Sequence, residues 1–103
     1  MFWHIALISF RVGTPEQTRS DILSRLQHLG DDCGGPGAGV LFWRVEENLD
    51  LRKGVHLVEV GIFENEKAFR DFRLHEEHVA IGSTLREIAD WKTIIIFHNP
   101  NSI

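Results

Sequence analysis

The stretch GVHLVEVGIFENEKAFRDFRLHEEHVAIG, Gly54 to Gly82, decides how this chain folds. Its first part, Val55 to Phe63, alternates as a strand, with His56, Val58, Val60 and Ile62 on one face. Asn65 is then a helix N-cap with Glu66 in the first turn, and Phe69, Phe72 and Val79 supply apolar contacts. That helix is expected to end in the cluster His75-Glu76-Glu77-His78. A neutral imidazole is the side chain best suited to move protons near neutral pH. The histidines are therefore the first candidates for chemistry, and His4, early in the first strand, joins them.

Working outward, Phe2 to Phe10 is apolar at almost every position. His4, Ala6, Ile8 and Phe10 share one face, and Trp3, Ile5, Leu7 and Ser9 share the other, so both faces are expected to be covered. Thr14-Pro15-Glu16-Gln17 predicts a helix start, with Thr14 as N-cap, Pro15 at the first position and Gln17 closing a capping box. Ile22, Leu26 and Leu29 form the apolar stripe, and Gly30 is the expected C-terminal glycine. Asp31 to Gly39 reads as a mobile loop, Val40 to Glu46 as a second strand, and Asn48 to Gly54 as a charged turn. Thr84 and Glu87 predict a capping box for a short helix, Leu85 to Asp90, before a last strand from Trp91 to Phe97.

The order β-α-β-β-α-β is the ferredoxin-like arrangement of an α+β domain. Its helices cover one sheet face. Since both parities of the first and last strands are apolar, the other face needs a cover too. A second copy packing sheet to sheet supplies it most simply, so a homodimer is expected.

Composition narrows the function. A chain of 103 residues with 43% hydrophobic and 25% charged residues makes one globular domain, 1–103. The net charge of −4, with no basic run longer than Arg52-Lys53, argues against nucleic-acid partners. No apolar run is long enough to span a membrane. Met1 to Phe10 lacks the basic start and small-residue cleavage site of a signal peptide. The single cysteine, Cys33, precludes a disulfide within one chain. Together these features predict a cytoplasmic protein with no membrane association.

With that element order, the chain resembles the stress-responsive A/B barrel (Dabb) family, a branch of the dimeric α+β barrels. The resemblance rests on His4 with its apolar strand, His56-Leu57-Val58-Glu59-Val60 with Phe63-Glu64, the following helix, His75-x-x-His78, and Thr93 to Phe97. It covers nearly the whole chain, and the joint pattern of short motifs carries it. It implies a dimeric α+β barrel. By resemblance to the family's polyketide cyclase branch, which includes olivetolic acid cyclase, His78 is the general base, and His4 and His56 line the pocket. A substrate-stabilising tyrosine of that branch falls at position 72. Here the residue is Phe72, and the chain has no tyrosine, so no phenolic hydroxyl can donate to a developing enolate. The family's proline after the first helix-end histidine is also absent, replaced by Glu76.

Together, residues and resemblance predict a small, largely apolar pocket between sheet and helices, lined by His4, His56, Phe72 and His78, with Phe72 and His75 against the substrate. The expected chemistry is proton transfer on a small carbonyl, polyketide or phenolic compound, of cyclase, isomerase or lyase type. His78 would abstract the proton while His56 or His4 hydrogen-bonds the carbonyl oxygen, with no redox cofactor. A cofactor-free monooxygenase and a non-catalytic stress-response binding protein are the alternatives. His75 and His78 are spaced to share a metal, yet no Cys or Asp completes a ligand set, so no metal is expected. Glu59 alternates to the face opposite His56, which separates those two as a dyad. The loop Gly34 to Gly39 lacks the Gly-Lys-Ser/Thr ending of a phosphate cradle and reads as a connector or a lid. Trp3, Trp43 and Trp91 read as core and interface rings, and Cys33 has no partner that would make it a nucleophile.

Overall fold

Strand β1 (Phe2–Phe10) is the middle of everything, lying between β3 (Leu57–Phe63) and β4 (Ala89–Phe97), with β2 (Val40–Glu47) outside β3. All neighbours are antiparallel, and the register sets His4 opposite Gly61 on one side and Ile95 on the other. The computed structural model describes residues 1–98; the last five positions of the expected domain lie outside them. Helices α1 (Glu16–Asp32), α2 (Glu66–Leu74) and α3 (Glu76–Ile88) cover one face of the sheet. This is the ferredoxin-like α+β fold that the element order predicts. No helix among the described residues is long and apolar enough to cross a membrane.

Alternation decides what each face does. His4, Ala6, Ile8 and Phe10 are buried under the helices, against Ile22, Leu26 and Leu29 of α1 and Phe69 of α2. Trp3, Ile5 and Leu7 point the other way, beside Val58, Val60 and Ile62 of β3. Ile94 and Ile96 extend that open face and remain about half exposed.

Several local expectations give way to packing. Thr14 does not cap α1: its hydroxyl donates to Arg11 O at 2.8 Å, and the residue ahead of the helix is Pro15, which offers no side-chain cap. Gly30 does not end the helix either, since α1 continues to Asp32. Gly30 is needed for close approach. A Cβ there would sit 2.6 Å from Cβ and Cγ of Trp43, and one on Gly61 would sit 2.9 Å from the same indole. Trp43 is wedged between α1 and β3, and its Nε1 donates to Leu26 O at 2.7 Å. The segment after α1 is ordered as a 3-10 turn, Gly35–Ala38, bounded by Gly34 and Gly39 at positive φ. It is a connector.

The largest departure lies at His75. The expected single helix through His78 is broken there, because His75 adopts extended backbone (φ −61°, ψ 139°) and its Nδ1 accepts from Glu77 N at 3.1 Å. The chain restarts as α3 with Glu76 and Glu77 in the first turn, where carboxylates favour the helix dipole. α3 absorbs the short helix expected at Leu85 to Asp90, and Thr84 is an interior residue bonded to Ala80 O at 3.4 Å, with no capping box. Asn65 caps α2 as expected, accepting from Ala68 N at 2.9 Å.

Candidate active site between sheet and helices

A cavity of about 250 Å³ opens between β1, β3, β4 and the helices. Its floor is buried: His4 and Ala6 from β1, Glu59 from β3, Leu26 from α1 and Phe69 from α2. α3 contributes His78, Ile81, Gly82 and Leu85, which recur at the spacing that keeps residues on one helix face. The exposed lining residues, Arg73, Trp91, Thr93 and Ile95, mark the mouth between the helices and the edge strand β4.

Two polar groups occupy the floor. His4 is 8% exposed and Glu59 is 5% exposed, and Nδ1 of the first is 3.3 Å from Oε1 of the second. The angle is not that of a hydrogen bond, so Nδ1 has no partner among the described residues. A buried polar atom without a partner costs free energy, and the Glu59 carboxylate is the polar group beside this one.

His78 is half-buried on the wall, with its ring edge-on to Phe72 at 5.1 Å between centroids. Burial pushes its basicity below the usual imidazole value; the Glu59 carboxylate pulls the other way and His4 adds to the lowering. It is also the third residue of α3, near the positive end of the helix dipole, which further disfavours imidazolium. Burial and helix position thus both favour the neutral imidazole.

The remaining candidates are placed elsewhere. His56 precedes β3, its Nδ1 accepts from Phe10 N at 2.9 Å, and its ring packs on Phe10. His4 and Phe10 are six residues apart on one strand, about 20 Å, so His56 cannot reach the cavity of His78. It lines a more open cleft with Glu16 and Arg19 of α1. Phe72 is core, 2% exposed and packed on Trp43 and Phe63; it touches the His78 ring and does not line the cavity. His75 caps α3 and lies off the lining as well. Cys33 is buried, and burial pushes its thiol up to about 11, which leaves it inert as a nucleophile. Among the described residues, no group of three or more His, Cys, Asp or Glu is arranged to hold a metal.

Neither Glu59 nor Arg73 stands out in the sequence as a site residue. The signal for Glu59 was its position: a lone carboxylate on the buried parity of a strand between Leu57 and Gly61. Carboxylates are rarely buried unless paired, and the group beside this one is His4.

The sequence matches no protein-family model and no curated protein. Solved structures do match over nearly the whole chain. A dimeric ferredoxin-like protein of unknown function from Thermobifida fusca superposes with a TM-score of 0.79 at 18% identity, covering 92% of this chain and 88% of that one. A Dabb family protein with a ferredoxin-like fold from Mesorhizobium loti gives 0.77 at 12% identity, covering 95% and 96%. The hydroxynitrile lyase from Passiflora edulis gives 0.73 at 13% identity, covering 95% and 94%. The chain therefore has the ferredoxin-like fold of the Thermobifida fusca and Mesorhizobium loti proteins.

Proposed function

We propose that this is a Dabb-type small-molecule enzyme whose cavity binds a small carbonyl or phenolic compound and moves a proton on it. Neutral His78 takes the proton from the acidic position of the ligand. His4, steadied by Glu59, donates to the oxygen on which negative charge develops, the role that preorganised donors fill best in a dry site. The carrying observation is His78, kept neutral by burial and helix position, lining one cavity of about 250 Å³ together with the buried His4 and Glu59 pair. That volume is at the small end for ligand sites and suits a single substituted ring. The likeness to a hydroxynitrile lyase, an enzyme of small-molecule chemistry on this fold, supports the reading. So does the likeness to a Dabb family protein. His56 has no part in it.

The same reading makes the chain a homodimer through the open sheet face, where Ile5, Val60 and Ile94 stand side by side without a cover. The likeness to a dimeric protein of this fold supports that assembly.

Histidine NMR tests the enzyme reading directly. With a panel of phenols, aldehydes and β-keto thioesters, His78 should titrate below the ordinary value, and one compound class should shift His4 and His78 together while leaving His56 unmoved. Turnover of that class should fall about a hundredfold or more in His78→Gln. If His78 titrates as a free imidazole and no class moves both rings, the proposal fails.

A further inference from the structure

Arg73 is the one permanent cation of the cavity lining, and no part of the proton transfer uses it. It sits in the last turn of α2, at the mouth, with its guanidinium 4.9 Å from the ring centre of Phe69. Stacking on an aromatic face holds the planar fork in place without consuming its N–H donors. Among the described residues no carboxylate lies within ion-pair distance of it. Glu76 and Glu77 follow closely in sequence, but the extended residue His75 turns the chain between them and Arg73. The lining thus combines a free, oriented guanidinium, stacked on the same Phe69 ring that His4 packs against, with His4, Glu59 and His78, and an apolar wall of Ile81, Leu85 and Trp91.

We infer that the ligand is a small carboxylate, bound with its carboxyl group on Arg73 and its reacting end toward His78. Resting on the proposed function, this adds substrate class and orientation. A planar carboxylate matches the guanidinium fork with two parallel hydrogen bonds, which fixes direction as well as affinity. The reverse orientation would set the carboxylate against Glu59. A neutral ring of the same shape fills the apolar middle but leaves the fork to water. The enzyme would then act on the free acid, since a bulky carrier thioester in place of the carboxyl group would lose this contact.

Binding of 4-hydroxybenzoate and 4-hydroxybenzamide to the intact protein, followed by calorimetry and by the His4 and His78 resonances, tests it. The benzoate should bind about tenfold more tightly than the amide, with a preference that shrinks as salt rises. In Arg73→Met, which keeps the stem over Phe69, the preference should vanish while amide affinity stays within about twofold; Arg73→Lys should restore part of it. Equal affinities in the wild type, or a preference that survives Arg73→Met, would overturn the assignment while leaving the cavity reading intact. Binding of neither compound, with both histidines unmoved, would remove the cavity reading and this inference together.

Discussion

The same substitution, glycine to alanine, should have opposite signs at two helical positions of this fold. In a helix interior, alanine is favoured over glycine by about 0.5–1 kcal/mol, because glycine loses more backbone freedom on folding. Gly82, inside α3, has nothing within 4 Å of where a Cβ would stand, so Gly82→Ala should gain close to that full amount. Gly30, inside α1, should gain it too, but its Cβ would lie 2.6 Å from Cβ and Cγ of Trp43 and 2.9 Å from Cδ1. None of these is the far end of a flexible chain. Either the indole or the helix must move, and such overpacking costs about 1–3 kcal/mol. Moving the indole also strains the 2.7 Å bond from its Nε1 to Leu26 O, and an orphaned donor costs about 1–3 kcal/mol more. The steric and polar costs exceed the propensity gain, so Gly30→Ala should lose at least about 1 kcal/mol net.

For a domain of this size each kcal/mol shifts the midpoint by about 4–8 °C. Thermal melts at matched protein concentration should therefore show Gly30→Ala falling by roughly 5–20 °C and Gly82→Ala rising by a few degrees. Tryptophan fluorescence should report the displaced indole in the first variant only. Gly82 lines the cavity, so its methyl should also weaken ligand binding while strengthening the fold. If both variants are stabilised, helix propensity dominates and Trp43 is not wedged against α1; the account of Gly30 would then be refuted.

Two further outcomes follow from the open sheet face and from His78. Ile5→Lys, in the row Val60-Ile5-Ile94, should halve the sedimenting mass of the wild type, whereas a wild-type chain that already sediments as a monomer refutes the dimer. Because burial lowers the basicity of His78, the unfolded chain binds the extra proton more readily. Stability should therefore rise with pH below the ordinary value of 6.5 and be lost on acidification through that window. Urea midpoints between acid and neutral pH should show a shallower slope in His78→Gln, and an unchanged slope would mean that His78 is solvated.

The order of elements was legible because each carried a physical period: the two-residue alternation of Leu57 to Phe63, the stripe Ile22-Leu26-Leu29, and the Asn65 cap. What failed were signals whose meaning depends on tertiary neighbours. Gly30 looks like a helix stop until Trp43, distant in sequence, is seen to need the space. His56 shares strand parity with Val58, but it precedes the paired segment, and Phe10 N draws its ring to the helix side. The missing tyrosine at position 72 loses its weight for the cavity, since Phe72 is packed among Trp43, Phe63 and His78 and presents nothing to a ligand. Glu59 went unnoticed as a site residue because its partner is His4, on the neighbouring strand, and not His56.

His75-Glu76-Glu77-His78 shows how much chemistry can hang on chain direction. Read as a helix C-terminus, the cluster would place His78 at the negative end of a dipole, where the imidazolium is favoured and the ring is a poor base. The acidic pair, however, belongs to a helix start, where carboxylates meet free N–H groups. Once His75 breaks the helix and accepts from Glu77 N, His78 falls in the first turn of α3, and the dipole and burial act in the same direction. The break also turns Arg73, at the end of α2, and His78, at the start of α3, onto one cavity from opposite sides of the kink. A continuous helix would set those two residues five positions apart, more than one full turn. The kink thus brings His78 and Arg73 to one cavity, although His75, which makes the kink, does not itself line it.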